Sequence, residues 1–194
     1  IKFSAVMVFA AVWLTIVYFP IAHMVWAASG YFFKLGALDF AGGTVVHINA
    51  GVSALVACII LGKRIGFPKE PMAPHSLTLT GVGTGLLWVG WFGFNAGSAL
   101  EANGSAALAM INTFVATASA GLFWMLAEKL NGHKGSALGF CSGIIAGLVA
   151  VTPAAGNSGP FGAIILGAVA SIICFYAVTV IKPKLGYDDS LDAF

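Results

Sequence analysis

The run from Phe40 to Leu61 constrains this chain most, because its 22 residues include no Lys, Arg, Asp or Glu. A helix of that length crosses a bilayer core of about 30 Å. The run contains a histidine, His47, about a third of the way along. An ionisable side chain at that depth is costly and is usually retained for a function. The run therefore predicts a membrane-spanning helix, and its histidine is a candidate functional residue.

The composition of the whole chain agrees with this interpretation. Hydrophobic residues make up 59% of the 194 residues, and charged residues only 8%. A soluble domain carries about 25% charged residues, so this chain lacks the polar surface that water requires. The nine Lys and Arg residues lie in loops or at span ends and form no patch for nucleic acid. We expect an integral membrane protein with no nucleic-acid partner.

Six apolar runs of spanning length predict an all-α, polytopic membrane domain. Backbone polar groups in lipid must be satisfied within the segment, so each continuous run is expected to be a helix. A membrane β-barrel would instead show alternating segments of about ten residues. The chain begins at Ile1 without a starting Met and ends at Phe194 without a polar tail, so we expect an internal part of a longer protein. The predicted spans are residues 3–26, 40–61, 77–94, 106–126, 137–151 and 161–181.

The distribution of cations predicts the orientation. If the spans alternate in direction, Lys34 lies alone on one side, and the other side holds Lys2, Lys63, Arg64, Lys69, Lys129, Lys134, Lys182 and Lys184. The positive-inside rule then makes loop 62–75 cytoplasmic. Asp39 is accordingly expected at the outer end of the second span.

Two polar residues of the second span are candidates for function. Asp39 precedes the helix, where a carboxylate caps free N–H groups and could also attract a cation. His47 is either a packed histidine hydrogen-bonded to Thr44 or Asn49, or a functional group of the span. A neutral imidazole offers one donor and one acceptor, which suits a small polar solute or a proton relay. Gly43, His47 and Gly51 share one helix face, which predicts a groove containing the imidazole.

Aromatic residues at the predicted outer ends form the second set of candidates. Trp26 ends the first span, either as an interfacial tryptophan or as a cation–π platform. Trp91, Phe94 and Ser98 share a helix face at the end of the third span. Two rings and a hydroxyl could bind a small hydrogen-bonding cation, and ordinary interface packing would place the same residues there.

Other kinds of site find little support. The three cysteines lie in apolar runs without metal-ligand spacing, and we expect neither a metal nor a cofactor. No phosphate-binding loop or nucleophile triad is present, so we do not expect an enzyme. A membrane redox protein with histidine-ligated haem is a further alternative. It would need two histidines at matching depth on facing helices, which this sequence does not offer but a segment outside it could.

Five segments carry a family pattern, namely residues 22–26, 38–50, 91–98, 141–149 and 151–154. Together they resemble the ammonium transporter family (Amt/Mep/Rh). Trp26 and Ser98 are similar to the Amt branch in particular. The resemblance implies about eleven helices in two inverted five-helix repeats, and homotrimers with a pore through each subunit. The chain would then correspond to helices four to nine.

The same resemblance implies roles for the pore residues. Trp26 and Ser98 would form part of an external ammonium site. Phe94 would be one of two phenyl gates, and His47 the first of two pore histidines. The second gate and the second histidine are expected in segments outside this sequence, the histidine shortly after Phe194.

Three further residues receive supporting roles from the resemblance. Asp39 would be the buried acid that orders the outer pore, with Thr152 hydrogen-bonded to it. Trp91 would lie by the pore mouth.

The function implied is transport of ammonium, with methylammonium as an alternative substrate. Ammonium would bind outside, lose its proton and cross as ammonia along the histidines. A sensor or transceptor on the same fold is the alternative. A PII-type regulator would meet the cytoplasmic face, which includes loop 62–75.

Overall fold

The computed structural model describes residues 2–194, and over that range the chain is helical, with no strand. Three π-helical turns, Leu14–Tyr18, Gly43–Ile48 and Ala177–Ile181, continue into α-helices, and a 3₁₀ turn, Thr152–Ala154, follows α7. The α-helices are α1 (Phe3–Trp13), α2 (Phe19–Trp26), α3 (Tyr31–Lys34), α4 (Asn49–Leu61), α5 (Leu77–Gly97), α6 (Gly104–Leu130), α7 (Ala137–Val151), α8 (Pro160–Tyr176) and α9 (Lys182–Leu185).

Six helical stretches in the described part of the chain are long and apolar enough to cross a membrane. This agrees with the all-α, polytopic architecture that the sequence predicts. The stretches are Phe3–Lys34, Gly43–Leu61, Leu77–Gly97, Gly104–Leu130, Ala137–Ala154 and Pro160–Leu185.

The second stretch begins three residues later than the predicted start at Phe40. The Phe40 N–H donates to the carbonyl oxygen of Pro153 at 3.0 Å, which takes this residue out of the helix. Gly42 then adopts φ 106°, a left-handed conformation that favours glycine. The helix therefore starts at Gly43, in a turn shaped by contacts with another part of the chain.

The packed core lies between α6, α7 and α8. Ala116, Val151 and Ala163 are fully buried there. Gly147 and Gly167 permit the close approach, because a Cβ at either position would overlap backbone atoms of α6. Small residues at helix contacts allow this spacing where lipid supplies no hydrophobic drive. The first three spans, in contrast, expose large apolar side chains along much of their length.

Charged residues join the second and sixth spans at the end that carries loop 62–75. The Asp188 carboxylate, whose side chain has no exposed surface, accepts hydrogen bonds from the Arg64 backbone N–H at 2.7 Å and from the guanidinium Nη2 at 2.6 Å. The hydrogen bonds from Arg64 lower the pKa of Asp188 to about 2. The segment that follows α9 is thereby attached to the end of α4.

Candidate functional site

Asp39 caps the N-terminus of the second span. Its Oδ1 accepts hydrogen bonds from the N–H groups of Gly42 at 2.9 Å and Gly43 at 2.5 Å. Its Oδ2 accepts from Thr44 at 2.9 Å and Val45 at 3.1 Å. These groups include N–H donors that a helix leaves without intrahelical partners. Asp39 as a residue is 9% exposed, so the predicted capping geometry is present in an almost closed environment.

The helix that Asp39 starts opens with the π-helical turn Gly43–Ile48, which contains His47. Such turns are rare and occur frequently at functional sites. Gly43 packs directly on Pro153, because a Cβ at this position would overlap the proline ring. The start of the second span is therefore fixed both by its cap and by the turn after α7.

His47 belongs to a cluster of three aromatic rings. Its imidazole stacks on the indole of Trp91, with ring centroids 5.2 Å apart and an interplanar angle of 22°. The Phe94 ring lies 5.9 Å from His47 and 5.5 Å from Trp91. The structure thus brings together three residues that the sequence placed in two separate spans.

The His47 Nε2 atom is buried and has no hydrogen-bond partner among the described residues. The alternative of a bond to Asn49 is not realised, because the Asn49 amide donates to the Val45 carbonyl oxygen instead. His47 lines two cavities, of about 710 Å³ and about 420 Å³. Its imidazole therefore offers a free polar atom in a largely apolar space.

The two cavities extend along different helices. The larger is lined by α5, including Gly90, Trp91 and Phe94. The smaller is lined by Gly43, His47 and Gly51, the face that the sequence predicted, together with residues of α7 and the segment that ends at Phe194. His47 is the one described residue that lines both.

Thr152 corrects one expectation. We expected its hydroxyl to bond Asp39, but it donates to the Leu148 carbonyl oxygen at 2.7 Å and accepts from Trp91 Nε1 at 2.9 Å. The expected bond does not form because both groups already have other hydrogen-bond partners. Each carboxylate oxygen of Asp39 already accepts from two N–H groups. The Thr152 hydroxyl already donates its proton to the carbonyl oxygen of Leu148, one helical turn earlier.

Trp26 and Ser98 are anchored to different neighbours. Trp26 Nε1 donates to the Asp39 carbonyl oxygen at 2.9 Å, and the residue is 42% exposed. Ser98 Oγ donates to the Phe94 carbonyl oxygen at 2.9 Å, at the end of α5. No hydrogen bond joins Trp26 to Ser98 among residues 2–194, and their pairing in one external site stays a prediction.

Buried polar side chains of α5 and α6 were not predicted from the sequence. Asn95 is fully buried and donates to Thr113 Oγ1 at 2.9 Å. Asn112 is fully buried and donates to the carbonyl oxygens of Ala155 and Ser158. Buried amides within apolar spans were a usable signal, because polar groups in lipid are retained only where they find partners. Within the described range no three His, Cys, Asp or Glu side chains group as a metal site.

The chain is similar to proteins of one known family. A family model described as the Ammonium Transporter Family matches residues 1–194. An ammonium transporter from Aquifex aeolicus (strain VF5) is 54% identical over 193 residues, which cover 100% of this chain and 45% of the relative. The chain thus spans about half the length of the curated relatives it matches.

Solved structures share the fold. The crystal structure of Saccharomyces cerevisiae Mep2 matches with a TM-score of 0.92 and 44% identity, over 99% of this chain and 43% of that one. A structure described as Sensor Amt Protein matches with a TM-score of 0.92 and 32% identity, over 99% of this chain and 50% of that one. The predicted multi-pass membrane character is confirmed, and the family is one of transporters and not of enzymes. Because the family model covers the chain from end to end and the fold is shared, the chain belongs to the ammonium transporter family.

Proposed function

We propose that the protein containing this chain transports ammonium across a membrane, along a pore whose wall includes His47. The observation that carries the proposal is the imidazole between two cavities, with its Nε2 free of protein partners. A buried polar atom without a partner is costly, so its retention favours a ligand that supplies the missing hydrogen bond. A small polar solute such as ammonia meets that requirement in an apolar passage.

The outer half of the proposed path uses aromatic faces and a hydroxyl. In this proposal Trp26 and Ser98 bind ammonium by cation–π contact and by a hydrogen bond, which replace part of its hydration. Asp39 lies beside this region and adds a negative charge at the helix start. Its two oxygens already accept four N–H hydrogen bonds. In this proposal Asp39 therefore attracts the cation through space and does not bind it directly.

Deprotonation is the proposed step at the ring cluster. An ion that entered the apolar space beside Phe94 would lose its hydration at high cost, whereas ammonia would lose much less. Transfer of the proton to water on the outer side, before or at Phe94, therefore lowers the barrier. Ammonia then passes His47, which gives it a hydrogen bond, and a second histidine is proposed to continue the path.

Growth and uptake of cells that lack their own ammonium transporters test this function. The complete coding sequence that contains this chain is expressed in such cells at low ammonium and mildly acidic pH. Wild type is expected to support growth and His47→Ala to abolish it at equal membrane expression, because alanine removes the imidazole whose buried Nε2 is free of protein partners.

A histidine outside the ring cluster provides the matched control for this test. His23 is a second histidine, at the end of the first span, where it contacts the Ser29 hydroxyl at 3.4 Å outside the ring cluster. His23→Ala is expected to support growth like wild type. Normal ammonium uptake by His47→Ala would contradict the proposed role of His47.

A sensor function is the second candidate. One observation favours it, namely the match to a structure described as Sensor Amt Protein. Uptake of labelled methylammonium, measured beside a nitrogen-response reporter, separates the two functions. A well-expressed wild type that changes the reporter without any uptake would favour the sensor.

The proposed partners follow from the family. We propose a homotrimer, and contact of a PII-type regulator with the cytoplasmic face that includes loop 62–75. Cross-linking of the purified protein tests the first proposal. Binding of a purified PII-type protein before and after substitution of Lys69 tests the second.

A further inference from the structure

The Thr152 hydroxyl connects α7 to the ring cluster. This residue is fully buried. Its single proton is donated to the Leu148 carbonyl oxygen at 2.7 Å, so a lone pair is left for the Trp91 N–H at 2.9 Å. The hydrogen bond to the α7 backbone therefore fixes the orientation of the Thr152 hydroxyl, and with it the direction of the lone pair that accepts from Trp91.

His47 has no comparable anchor. Its Nε2 is free of partners in the described part of the chain, and its ring lies nearly parallel to the indole of Trp91. Phe94 contacts both rings and has no polar atom with which to fix either of them. Stacking then makes the plane of the imidazole depend on the plane of the indole.

We infer that Thr152 is a positioning residue of the pore, which fixes the Trp91 indole and through it the direction of His47 Nε2. This inference rests on the proposed function. The three rings form one wall of the cavity of about 710 Å³, so the orientation of Trp91 also sets the width of that space. Thr152 acts through Trp91 and does not itself contact the solute.

Substitution of Thr152 by valine is the primary test. Valine keeps the shape of threonine and removes the acceptor, which leaves a buried N–H unpaired. In liposomes that contain the complete purified protein, we expect ammonium flux to fall by about tenfold, because a ring wall that is no longer fixed raises the barrier that the solute crosses. The flux ratio of methylammonium to ammonium is expected to rise. Without its hydrogen bond the Trp91 indole can turn, so the cavity is no longer held at one width.

The flux ratio separates positioning from a general loss of structure. A partly misfolded sample lowers both fluxes equally and leaves the ratio unchanged. Thr152→Ser retains the hydroxyl and is expected to restore the wild-type ratio. Thr117→Val is the matched control, because Thr117 is equally buried and donates to the Thr113 carbonyl oxygen without receiving an indole.

A double-mutant comparison completes the test. Trp91→Phe removes the N–H, so Thr152→Val should change the ratio no further in that background. If Thr152→Val does not yield folded protein, Thr152→Ala replaces it, with the same expected ratio. An unchanged ratio, or equal effects of Thr152→Val with and without Trp91→Phe, would overturn the inference. Wild-type liposomes without ammonium flux would overturn the proposed function instead, and the inference with it.

Discussion

Asp39 illustrates how one residue can define the beginning of a span. Four backbone N–H groups converge on its two oxygens, and Trp26 bonds to its carbonyl oxygen. A carboxylate is suited to this position because it accepts at both oxygens and complements the positive end of the helix dipole. The carboxylate therefore orders the helix that carries His47, and the backbone carbonyl oxygen of the same residue holds the tryptophan of the proposed external site.

Asp39→Asn is expected to destabilise the protein by about 1–3 kcal/mol, the usual cost of leaving buried N–H donors without an acceptor. The reason is that the amide NH₂ would face two N–H donors in place of an oxygen that accepts from both. The midpoint of thermal unfolding of the purified protein in detergent measures the change. The control is Asn103→Ala, which removes the exposed cap of α6 and is expected to shift the midpoint less. Equal midpoints for Asp39→Asn and wild type would contradict the structural role of this carboxylate.

At the scale of elements, the contact between α6 and α8 depends on a missing side chain. A Cβ at Gly167 would overlap the Ala116 carbonyl oxygen, and backbone atoms cannot move aside as a flexible side chain does. Ser171 donates to the Ala120 carbonyl oxygen at 2.7 Å along the same contact. Close packing here replaces the hydrophobic drive that lipid does not provide.

Gly167→Ala is expected to destabilise the protein by about 1–3 kcal/mol, the usual cost of overpacking. Gly162→Ala on the same helix is the matched control, because its Cβ would meet only Ser158 Cβ, at 3.9 Å. That control is expected to be neutral or stabilising, since alanine is the better helix former. Thermal unfolding in detergent, compared between the two variants, measures the difference. A Gly167→Ala protein as stable as Gly162→Ala would show that the helices can separate at no cost.

At the scale of the whole molecule, charged pairs hold the last described segment in place. Arg64 binds Asp188, Lys182 binds Asp192, and the Asp189 carboxylate accepts from the Phe194 N–H at 3.0 Å. Phe194 in turn lines the smaller cavity beside His47. Residues at one end of the bundle are thus connected to the space around the proposed pore histidine.

The Arg64–Asp188 pair predicts a pH dependence of stability. Its hydrogen bonds lower the pKa of Asp188 to about 2 in the folded protein. An unfolded aspartate has a pKa of about 3.9, so the stabilisation is fully present above that pH and is lost as the pH falls towards about 2.

Asp188→Asn tests this dependence. Its thermal midpoint in detergent is expected below that of wild type at neutral pH, with a difference that narrows as the pH falls through this window. Asp192→Asn is the control, since the Asp192 side chain is 38% exposed, whereas that of Asp188 has no exposed surface, and an exposed pair contributes less. A difference that stays constant from neutral to acidic pH would contradict the assignment to the charged pair.

The sequence by itself determined the membrane character, the six spans and several site residues. Transfer of a helix into lipid is close to a sum over its own residues, so continuous apolar runs are sufficient to find the spans. His47, Asp39, Trp91 and Phe94 stood out because polar or aromatic residues occur at expected depths within or beside those runs. Span ends were less accurate, as Gly43 shows, because they depend on caps and on contacts with other helices.

Only the tertiary structure decided which of these residues meet. Trp91 and Thr152 are 61 positions apart, and Arg64 and Asp188 are 124 positions apart. Thr152 bonds Trp91 in place of Asp39 because helix packing brings the indole N–H to the Thr152 hydroxyl oxygen. The Asp39 carboxylate instead accepts hydrogen bonds from backbone N–H groups close to it in the sequence. Hydropathy and spacing describe each helix alone, whereas the orientation of His47 and the walls around it arise from side chains of several helices in one three-dimensional arrangement.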